Sequence, residues 1–171
     1  MTCLAGLMIG KYSQAKEVFL TDGNEASFEN LEKICSRNEF ECSLECCLLQ
    51  WNKDLNYVDL EGRFDYIICA DCLFFDEFRE DLCGTIYKLL KNDGTCLIFA
   101  PNRQNTFHKF VDMAKIKFEC MIVNDYDLEV WEKHLNEKEN NPEYDEDIHY
   151  PLLLKLKKRN KQNIDFCKMV L

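Results

Sequence analysis

The sequence has little glycine or proline, no long apolar run and no glycine-rich nucleotide loop. Its 6 glycines and 3 prolines exclude collagen-like and low-complexity chains. No apolar stretch reaches the roughly 20 residues of a membrane span, and residues 1–10 lack the basic region and cleavage site of a secretory signal. Without a G-x-G-x-x-G loop, a nicotinamide-dependent oxidoreductase remains only a minor alternative.

Basic residues are also in short supply. The chain of 171 residues carries 21 Lys and Arg against 31 Asp and Glu, a formal net charge of −10. Such a chain is poorly suited to binding phosphate backbones, so we expect no nucleic-acid partner. We also expect no membrane partner, and we expect a monomer.

Cysteine, by contrast, is abundant. The chain has 11 cysteines, an odd number in a sequence without a secretory signal, so we expect reduced thiols and a cytoplasmic and nuclear location. Cys69 and Cys72 form a C-x-x-C pair, and a metal or redox site is the alternative to buried free thiols. Cys42, Cys46 and Cys47 do not supply a matching second pair, so we expect no metal.

Apolar residues alternate between the periodicity of strands and that of helices. The pattern predicts helices over 24–37, with Asn24 as the cap, 78–90, stopped by 92–94, and 106–117. It predicts strands over 17–23, 46–51, 64–71, 95–100, 119–124 and 150–156. The strand over 64–71 is apolar on both faces, which is typical of a buried parallel strand. This order predicts an α/β fold with a doubly wound, mostly parallel sheet.

The pattern lapses over residues 125–149, where ten acidic residues accompany two lysines. This segment is either a solvated insertion or a lip that faces the substrate. Val130, Trp131 and Leu135 would give the middle of the segment a single apolar helical face. We expect the basic residues 159–171 to form a mobile tail.

The candidate site residues follow the predicted strands, because doubly wound sheets bind ligands at the carboxyl ends of their strands. Asp22 could accept hydrogen bonds from ribose hydroxyls, or it could be a simple turn residue. Trp51 could cover an adenine face, or it could lie at the edge of the core. Asp71, with Phe74 and Phe75 close by, suits a cationic reactant, although both rings could instead be core residues.

Several segments together resemble a known family. In chain order they are TCLAGL, LTDGNE, LLQW, FDYIICADCLFF, GTCLIFAPNR and HYPLLLKL. The combination resembles the seven-strand, S-adenosylmethionine-dependent protein-lysine methyltransferases of methyltransferase family 16. The resemblance covers residues 1–158, which would form the carboxyl-terminal part of the family's methyltransferase domain.

The resemblance implies roles for the candidate residues. Asp22 matches the acidic position that binds ribose, and Trp51 matches the tryptophan that borders the adenine. Asp71 and Phe74 match the D-x-x-(Y/F) motif where cofactor and target lysine meet, so both are catalytic candidates and Asp71 is also a cofactor-binding one. On the substrate side it implies Phe75, Asn102 and Arg103.

The activity implied by the resemblance is transfer of methyl groups from S-adenosylmethionine to a lysine ε-amine, with calmodulin as the protein substrate and no metal. Calmodulin is itself acidic, so like net charges would slow the encounter. We expect either the basic residues 155–161 or the missing amino-terminal part of the family fold to make the contact. The alternative is a non-catalytic protein-interaction domain derived from a methyltransferase.

The resemblance also predicts an incomplete fold. The family has a first strand and a glycine-rich loop immediately before the helix that Thr2, Cys3 and Leu4 match, and this sequence begins at that helix. The first strand lies in the middle of the family sheet, so its absence would leave two inner strand edges unpaired. We therefore expect a truncated chain that is weakly active or inactive.

Overall fold

Strands and helices alternate along the chain, as the periodicity predicts. The computed structural model describes residues 3–55 and 57–159, and the chain divides after Trp51 into two compact units. The first unit contains α1 (Leu4–Tyr12), β1 (Glu17–Asp22), α2 (Glu25–Ser36) and β2 (Ser43–Leu48). The prediction of an α/β fold is confirmed in this unit, because α2 connects two parallel strands.

The first unit is a two-stranded sheet packed against α1 and α2. Strands β1 and β2 pair in parallel from Glu17 opposite Ser43 to Asp22 opposite Leu48. Helix α2 begins after Asn24, whose side chain accepts a hydrogen bond from the Ser27 amide at 3.1 Å, as predicted for the cap. Strand β2 begins and ends three residues earlier than the predicted strand over 46–51, because it ends where its partner β1 ends.

The second unit contains a larger mixed sheet. Its elements are β3 (Phe64–Ala70), α3 (Arg79–Leu89), β4 (Leu90–Ala100), a 3-10 helix (Arg103–Asn105), α4 (Thr106–Ala114), β5 (Phe118–Val123), α5 (Leu128–Asn140), α6 (Glu146–His149) and β6 (Leu152–Lys158). The strand order is β3-β4-β6-β5. Strands β3 and β4 are parallel, whereas β6 runs antiparallel to both β4 and β5.

Helices α3 and α4 cover one face of this sheet. Alternate residues of β4, among them Cys96 and Ile98, are fully buried, as are Phe107 and Phe110 of α4. Phe118 at the start of β5 is also fully buried. This alternation is what a strand with one packed face requires.

The segment 92–94 does not stop a helix, contrary to the prediction. Helix α3 ends at Leu89 and β4 begins at Leu90, so 92–94 lies within the strand. The register shifts there, from Phe64 opposite Leu90 to Tyr66 opposite Thr95, as at a bulge. A Cβ at Gly94 would lie 3.0 Å from the Asp65 carbonyl oxygen, so glycine permits the close approach of the two strands.

Strand β3 is not buried on both faces, contrary to the prediction. It pairs with β4 on one side, and within the described residues no strand pairs with its other side. Tyr66 is 67% exposed and Ile68 is 39% exposed. Burial of both faces needs a layer packed on each face of the sheet, and Tyr66 and Ile68 lack such cover. Within the described residues, β3 is also an edge strand.

The acidic segment 125–149 is folded onto the second unit. The predicted apolar face is wrong for Val130 and Leu135, which are 37% and 46% exposed. Trp131 is half-buried, with its ring centroid 5.8 Å from that of Tyr150. His134 is buried instead, with Nδ1 at 2.8 Å from the Tyr144 hydroxyl and its ring centroid at 4.0 Å from that of Tyr150. Aromatic stacking around a buried imidazole, rather than an aliphatic stripe, therefore anchors α5.

Of the predicted tail, residues 160–171 lie outside the described residues. In the portion of the chain that the structure describes, no helix is long and apolar enough to cross a bilayer.

Candidate functional site

Asp71 lies directly after β3, in a backbone conformation that few residues adopt. Its φ is +50°, in the left-handed region, and its amide donates to the Phe99 carbonyl oxygen at 2.8 Å. Arg103 Nη1 lies 2.9 and 3.0 Å from the two oxygens of the Asp71 carboxylate. The two side chains are about two-fifths exposed, so this ion pair is open to solvent.

Two predicted substrate-side residues follow β4 and lie beside the acidic segment. Asn102 precedes Arg103, and its Nδ2 donates to Asp147 of α6 at 3.4 Å, the long end of the hydrogen-bond range. A small cavity of about 80 Å³ is lined by Asn102, Glu146, Asp147, Tyr150 and Leu152. Helix α6 therefore adjoins the Asp71–Arg103 pair through Asn102. That this segment faces the substrate stays a prediction.

Three exposed phenyl rings follow Asp71 along the chain. Phe74, Phe75 and Phe78 are 42%, 46% and 45% exposed. The ring centroids of Phe74 and Phe75 lie 4.0 Å apart, and those of Phe75 and Phe78 lie 5.9 Å apart. The core alternative for Phe74 and Phe75 is therefore wrong.

Sequence reasoning missed Phe78 and Arg79. Phe78 lies three residues after Phe75 and directly before α3, and its place at the start of the predicted helix gave no sign of a role in the site. Arg79 forms an ion pair with Asp76, and its Nε donates to the Leu73 carbonyl oxygen at 3.1 Å. Leu73 itself is buried, so Arg79 and Leu73 together fix the segment that carries the rings.

In the first unit, Asp22 and Trp51 lie at the same end of the sheet. The Leu49 amide donates to the Asp22 carbonyl oxygen at 3.0 Å, which extends the pairing towards Trp51. The Asp22 carboxylate accepts from the Asn24 amide at 2.9 Å, so the turn role weighed for Asp22 is present. An acid and a half-buried indole at the carboxyl ends of adjacent parallel strands fit the ribose and the adenine of a nucleoside.

The structure thus collects the candidate residues into two groups. Asp22 and Trp51 belong to the first unit. Asp71, Phe74, Phe75, Asn102 and Arg103 belong to the second unit, at the carboxyl ends of β3 and β4. That both groups face one cleft stays a prediction.

The thiols of the C-x-x-C pair are packed close to the Asp71 turn. Cys72 is 7% exposed and Cys96 is fully buried. The hydrogen bond between Cys69 and Cys72 raises the pKa of Cys72 and lowers the pKa of Cys69, whereas burial raises the pKa of Cys96 on β4. Cys72 and Cys96 are therefore protonated at neutral pH. Within the described residues, no group of three or more His, Cys, Asp or Glu is arranged to hold a metal ion.

Comparisons with known proteins assign a family. A family model described as lysine methyltransferase matches residues 2–117. Calmodulin-lysine N-methyltransferase of Arabidopsis thaliana is 33% identical over 162 residues, which cover 90% of this chain and 53% of the relative. The chain therefore spans about half the length of this curated relative.

Solved methyltransferase structures share the fold at low sequence identity. A predicted O-methyltransferase from Agrobacterium tumefaciens is 12% identical with a TM-score of 0.67, covering 94% of this chain and 71% of that one. A TehB-like SAM-dependent methyltransferase from Corynebacterium glutamicum is 16% identical with a TM-score of 0.57, covering 84% and 68%. TYW2 from P. horikoshii, solved in complex with MeSAdo, is 16% identical with a TM-score of 0.52, covering 89% and 51%.

These findings confirm the resemblance and the Rossmann-like methyltransferase fold that the sequence indicates. The predicted cofactor, S-adenosylmethionine, agrees with the descriptions of two of these solved proteins, one SAM-dependent and one in complex with MeSAdo.

Proposed function

The chain belongs to the lysine methyltransferase family, and we propose that it transfers a methyl group from S-adenosylmethionine to a protein lysine. We propose calmodulin as the substrate. The observation that carries the proposal is the solvent-open Asp71 carboxylate at the end of β3, with three exposed phenyl rings following it along the chain. A carboxylate that is followed along the chain by exposed aromatic rings suits a side chain that is cationic before and after the reaction.

The first unit supplies the residues for the adenosine half of the cofactor. The Asp22 carboxylate would accept hydrogen bonds from the ribose hydroxyls, and the Trp51 ring would cover the adenine. S-adenosylmethionine supplies an electrophilic methyl group when bound. Asp22 and Trp51 therefore set affinity and position, and they take no part in the chemical step.

Asp71 would orient the target amine and accept its proton or pass it to water. A lysine has a pKa of about 10.4 in solution, so the site must favour the neutral amine that can act as a nucleophile. A lone carboxylate would favour the ammonium form, but Arg103 offsets the charge of Asp71. Positioning of the amine can contribute roughly 7–11 kcal/mol to such a displacement.

The exposed rings would serve both specificity and product stability. Phe74 and Phe75 would exclude water from the amine, which lowers the cost of its neutral form. Their faces would also attract the methylammonium product, by about 0.5–2 kcal/mol. On the substrate side, Asn102 and Arg103 would contact the polypeptide around the target lysine.

An acidic substrate requires a basic contact on this acidic chain. Lys155 and Lys157 point to the same face of β6, opposite the face that carries the buried Leu154 and Leu156. We propose that these lysines contact acidic residues of calmodulin. A monomer acting in cytoplasm and nucleus, where calmodulin is available, belongs to the same proposal.

The test is transfer of tritium from labelled S-adenosylmethionine to calmodulin. Because the chain spans about half of its curated relative, the assay includes a second protein in which the amino-terminal part of the Arabidopsis relative precedes Met1. Asp71→Asn should lower kcat by about 100-fold or more. It should change cofactor affinity, measured by calorimetry, far less, because asparagine keeps one of the two side-chain oxygens. Asp65→Asn, at the other end of β3, is the matched control and should keep full activity.

The outcomes separate the two candidate functions. Absence of label with both proteins would overturn the proposed activity. Binding of calmodulin without label, together with cooperative unfolding and no heat from the cofactor, would instead support the non-catalytic interaction domain. Full turnover by Asp71→Asn would show that another group positions the amine.

A further inference from the structure

Two cysteine sulfurs meet inside the first unit. The Sγ atoms of Cys35, in the last turn of α2, and Cys46, on β2, lie 3.3 Å apart. Both side chains are half-buried. The contact joins residues eleven positions apart, so it connects a helix to a strand rather than neighbours within one element.

Packing of α2 on the sheet brings these two thiols together. Leu31 is 1% exposed, and Cys35 lies four residues later on the same side of the helix. Cys46 stands opposite Leu20 in the pairing of β1 with β2, and Leu20 is 2% exposed. Both cysteines therefore lie where the helix covers the sheet.

Other cysteines of this unit have different partners. The Cys42 thiol donates to the Gly10 carbonyl oxygen at 3.6 Å, and the Cys47 thiol donates to the Leu48 carbonyl oxygen at 3.8 Å. Cys3 donates to the Thr21 carbonyl oxygen at 3.4 Å. Only Cys35 and Cys46, among the described cysteines of this unit, have a thiol–thiol hydrogen bond.

We propose that Cys35 and Cys46 form a reversible disulfide that hydrogen peroxide introduces and a dithiol removes. A disulfide has a sulfur–sulfur distance of about 2.05 Å. The two sulfurs must therefore approach by little more than 1 Å, which side-chain rotation and a small shift of the helix end can supply.

The reaction balances with peroxide as the two-electron oxidant. The Cys35 thiolate attacks one peroxide oxygen, which gives a sulfenic acid and hydroxide. The Cys46 sulfur then displaces the hydroxyl group as water, and the hydroxide takes up the remaining proton. Overall two S–H bonds and one O–O bond break, and one S–S bond and two waters form.

The surroundings of Cys46 indicate which of the two thiols reacts first with peroxide. Burial, together with the hydrogen bond to Cys35, raises the pKa of Cys46 to about 12. Cys46 is therefore a thiol at neutral pH and would react second. As its sulfur attacks the sulfenic sulfur, its proton passes to the departing hydroxyl group, which leaves as water. The bond would fix the end of α2 to the strand that leads to Trp51, and it would do so independently of the proposed methyl transfer.

The experiment treats the whole chain with one equivalent of peroxide, blocks the remaining thiols with N-ethylmaleimide and maps the cross-link by mass spectrometry. Cleavage after glutamate separates Cys35 on peptide 33–39, Cys42 on peptide 42–45, and Cys46 with Cys47 on the peptide that follows. We expect peptide 33–39 to be linked to the peptide that starts at Cys46. A dithiol should release both peptides.

Two variants identify the cysteine that pairs with Cys35. Cys46→Ser should abolish the cross-link, whereas Cys47→Ser, the matched control in the same strand, should retain it. The oxidised wild-type chain should show a Tm higher by roughly 5 °C or more than its reduced form, because the bond constrains the unfolded chain. Cys46→Ser should show no such shift.

The proposal is overturned by a link from Cys35 to Cys42 or Cys47 in the wild-type chain. It is also overturned if Cys35 is fully alkylated after treatment that oxidises other cysteines, or if the cross-link persists in Cys46→Ser.

Discussion

The two units differ most in the amount of core that supports their candidate residues. In the first unit, Leu20 and Leu31 are the large side chains buried below 3%, and the sheet has two strands. In the second unit a four-stranded sheet shares a core with two helices. Its largest fully buried side chains are Phe107, Phe110, Phe118, Leu73, Leu82, Ile86, Leu90, Ile98, Leu154, Leu156 and Cys96.

This difference bears on the two halves of the proposed site. A two-stranded sheet is marginally stable on its own. Few buried contacts therefore stabilise the strands that position Asp22 and Trp51. Asp71 and Arg103 follow strands of the larger sheet. The cofactor-side residues should therefore be the first to lose their arrangement when the chain is destabilised.

The largest effect that we expect comes from the core of the second unit. Phe110→Ala should lower the free energy of unfolding of this unit by about 3–5 kcal/mol, because it leaves a cavity between α4 and the sheet. Urea denaturation followed by the fluorescence of Trp131, in a Trp51→Phe background, measures it. Lys109→Ala, on the exposed side of the same helix, is the control and should change little.

A comparable deletion in the first unit should have a more local consequence. Leu31→Ala removes about 2–5 kcal/mol of stabilisation from a unit with few other buried side chains. Hydrogen exchange should accelerate across β1, α2 and β2 and leave β4 and β6 protected. Equal acceleration in both sheets would contradict the comparison, and Glu32→Ala serves as the exposed control.

Matched helix caps offer a finer comparison of the two units. Asn24 accepts from the Ser27 amide at 3.1 Å, and Asp127 accepts from the Val130 amide at 3.0 Å. Replacement of either by alanine should cost about 1 kcal/mol, measured by thermal unfolding and local hydrogen exchange. Asn24→Asp and Asp127→Asn keep the acceptor and should retain most of the stability.

The smallest effect that we expect is a decrease in the stability of the second unit at acidic pH. Desolvation lowers the pKa of His134, outweighing Glu146, which raises it, and Lys138 lowers it further. The unfolded chain therefore binds the proton more readily, so stability should fall as pH drops below about 6.5. The Tyr144 hydroxyl, at 2.8 Å from the ring, also faces it.

His134→Gln should flatten this region of the pH profile relative to the wild-type chain, since glutamine does not titrate. Unfolding by urea at pH values from about 5 to 8 measures the difference between the two profiles. Parallel profiles would assign the acid dependence to the surrounding carboxylates instead.

Local chemistry explains what could be predicted from the sequence. The cap at Asn24 and the helix that follows depend on residues within one turn, and both were predicted correctly. The strand ends were less accurate, because β2 begins and ends with its partner β1. Burial of β3 depends on neighbours that its own sequence does not specify.

In the candidate site, too, the features that depend on local sequence could be predicted and those that depend on distant residues could not. Asp71 could be predicted because it follows an apolar strand. Its pairing with Arg103 joins residues 32 positions apart and required the structure. The exposure of Phe74 and Phe75 depends on how Leu73 and Arg79 direct the segment, which no periodicity specifies.

The left-handed backbone of Asp71 has an evolutionary consequence. Glycine would adopt this conformation without the steric cost, of about 1 kcal/mol, that a side chain incurs. A mutational library selected only for abundance of the folded chain should therefore enrich glycine or asparagine at position 71. The same library selected for turnover should retain aspartate, so the two selections would diverge at this residue.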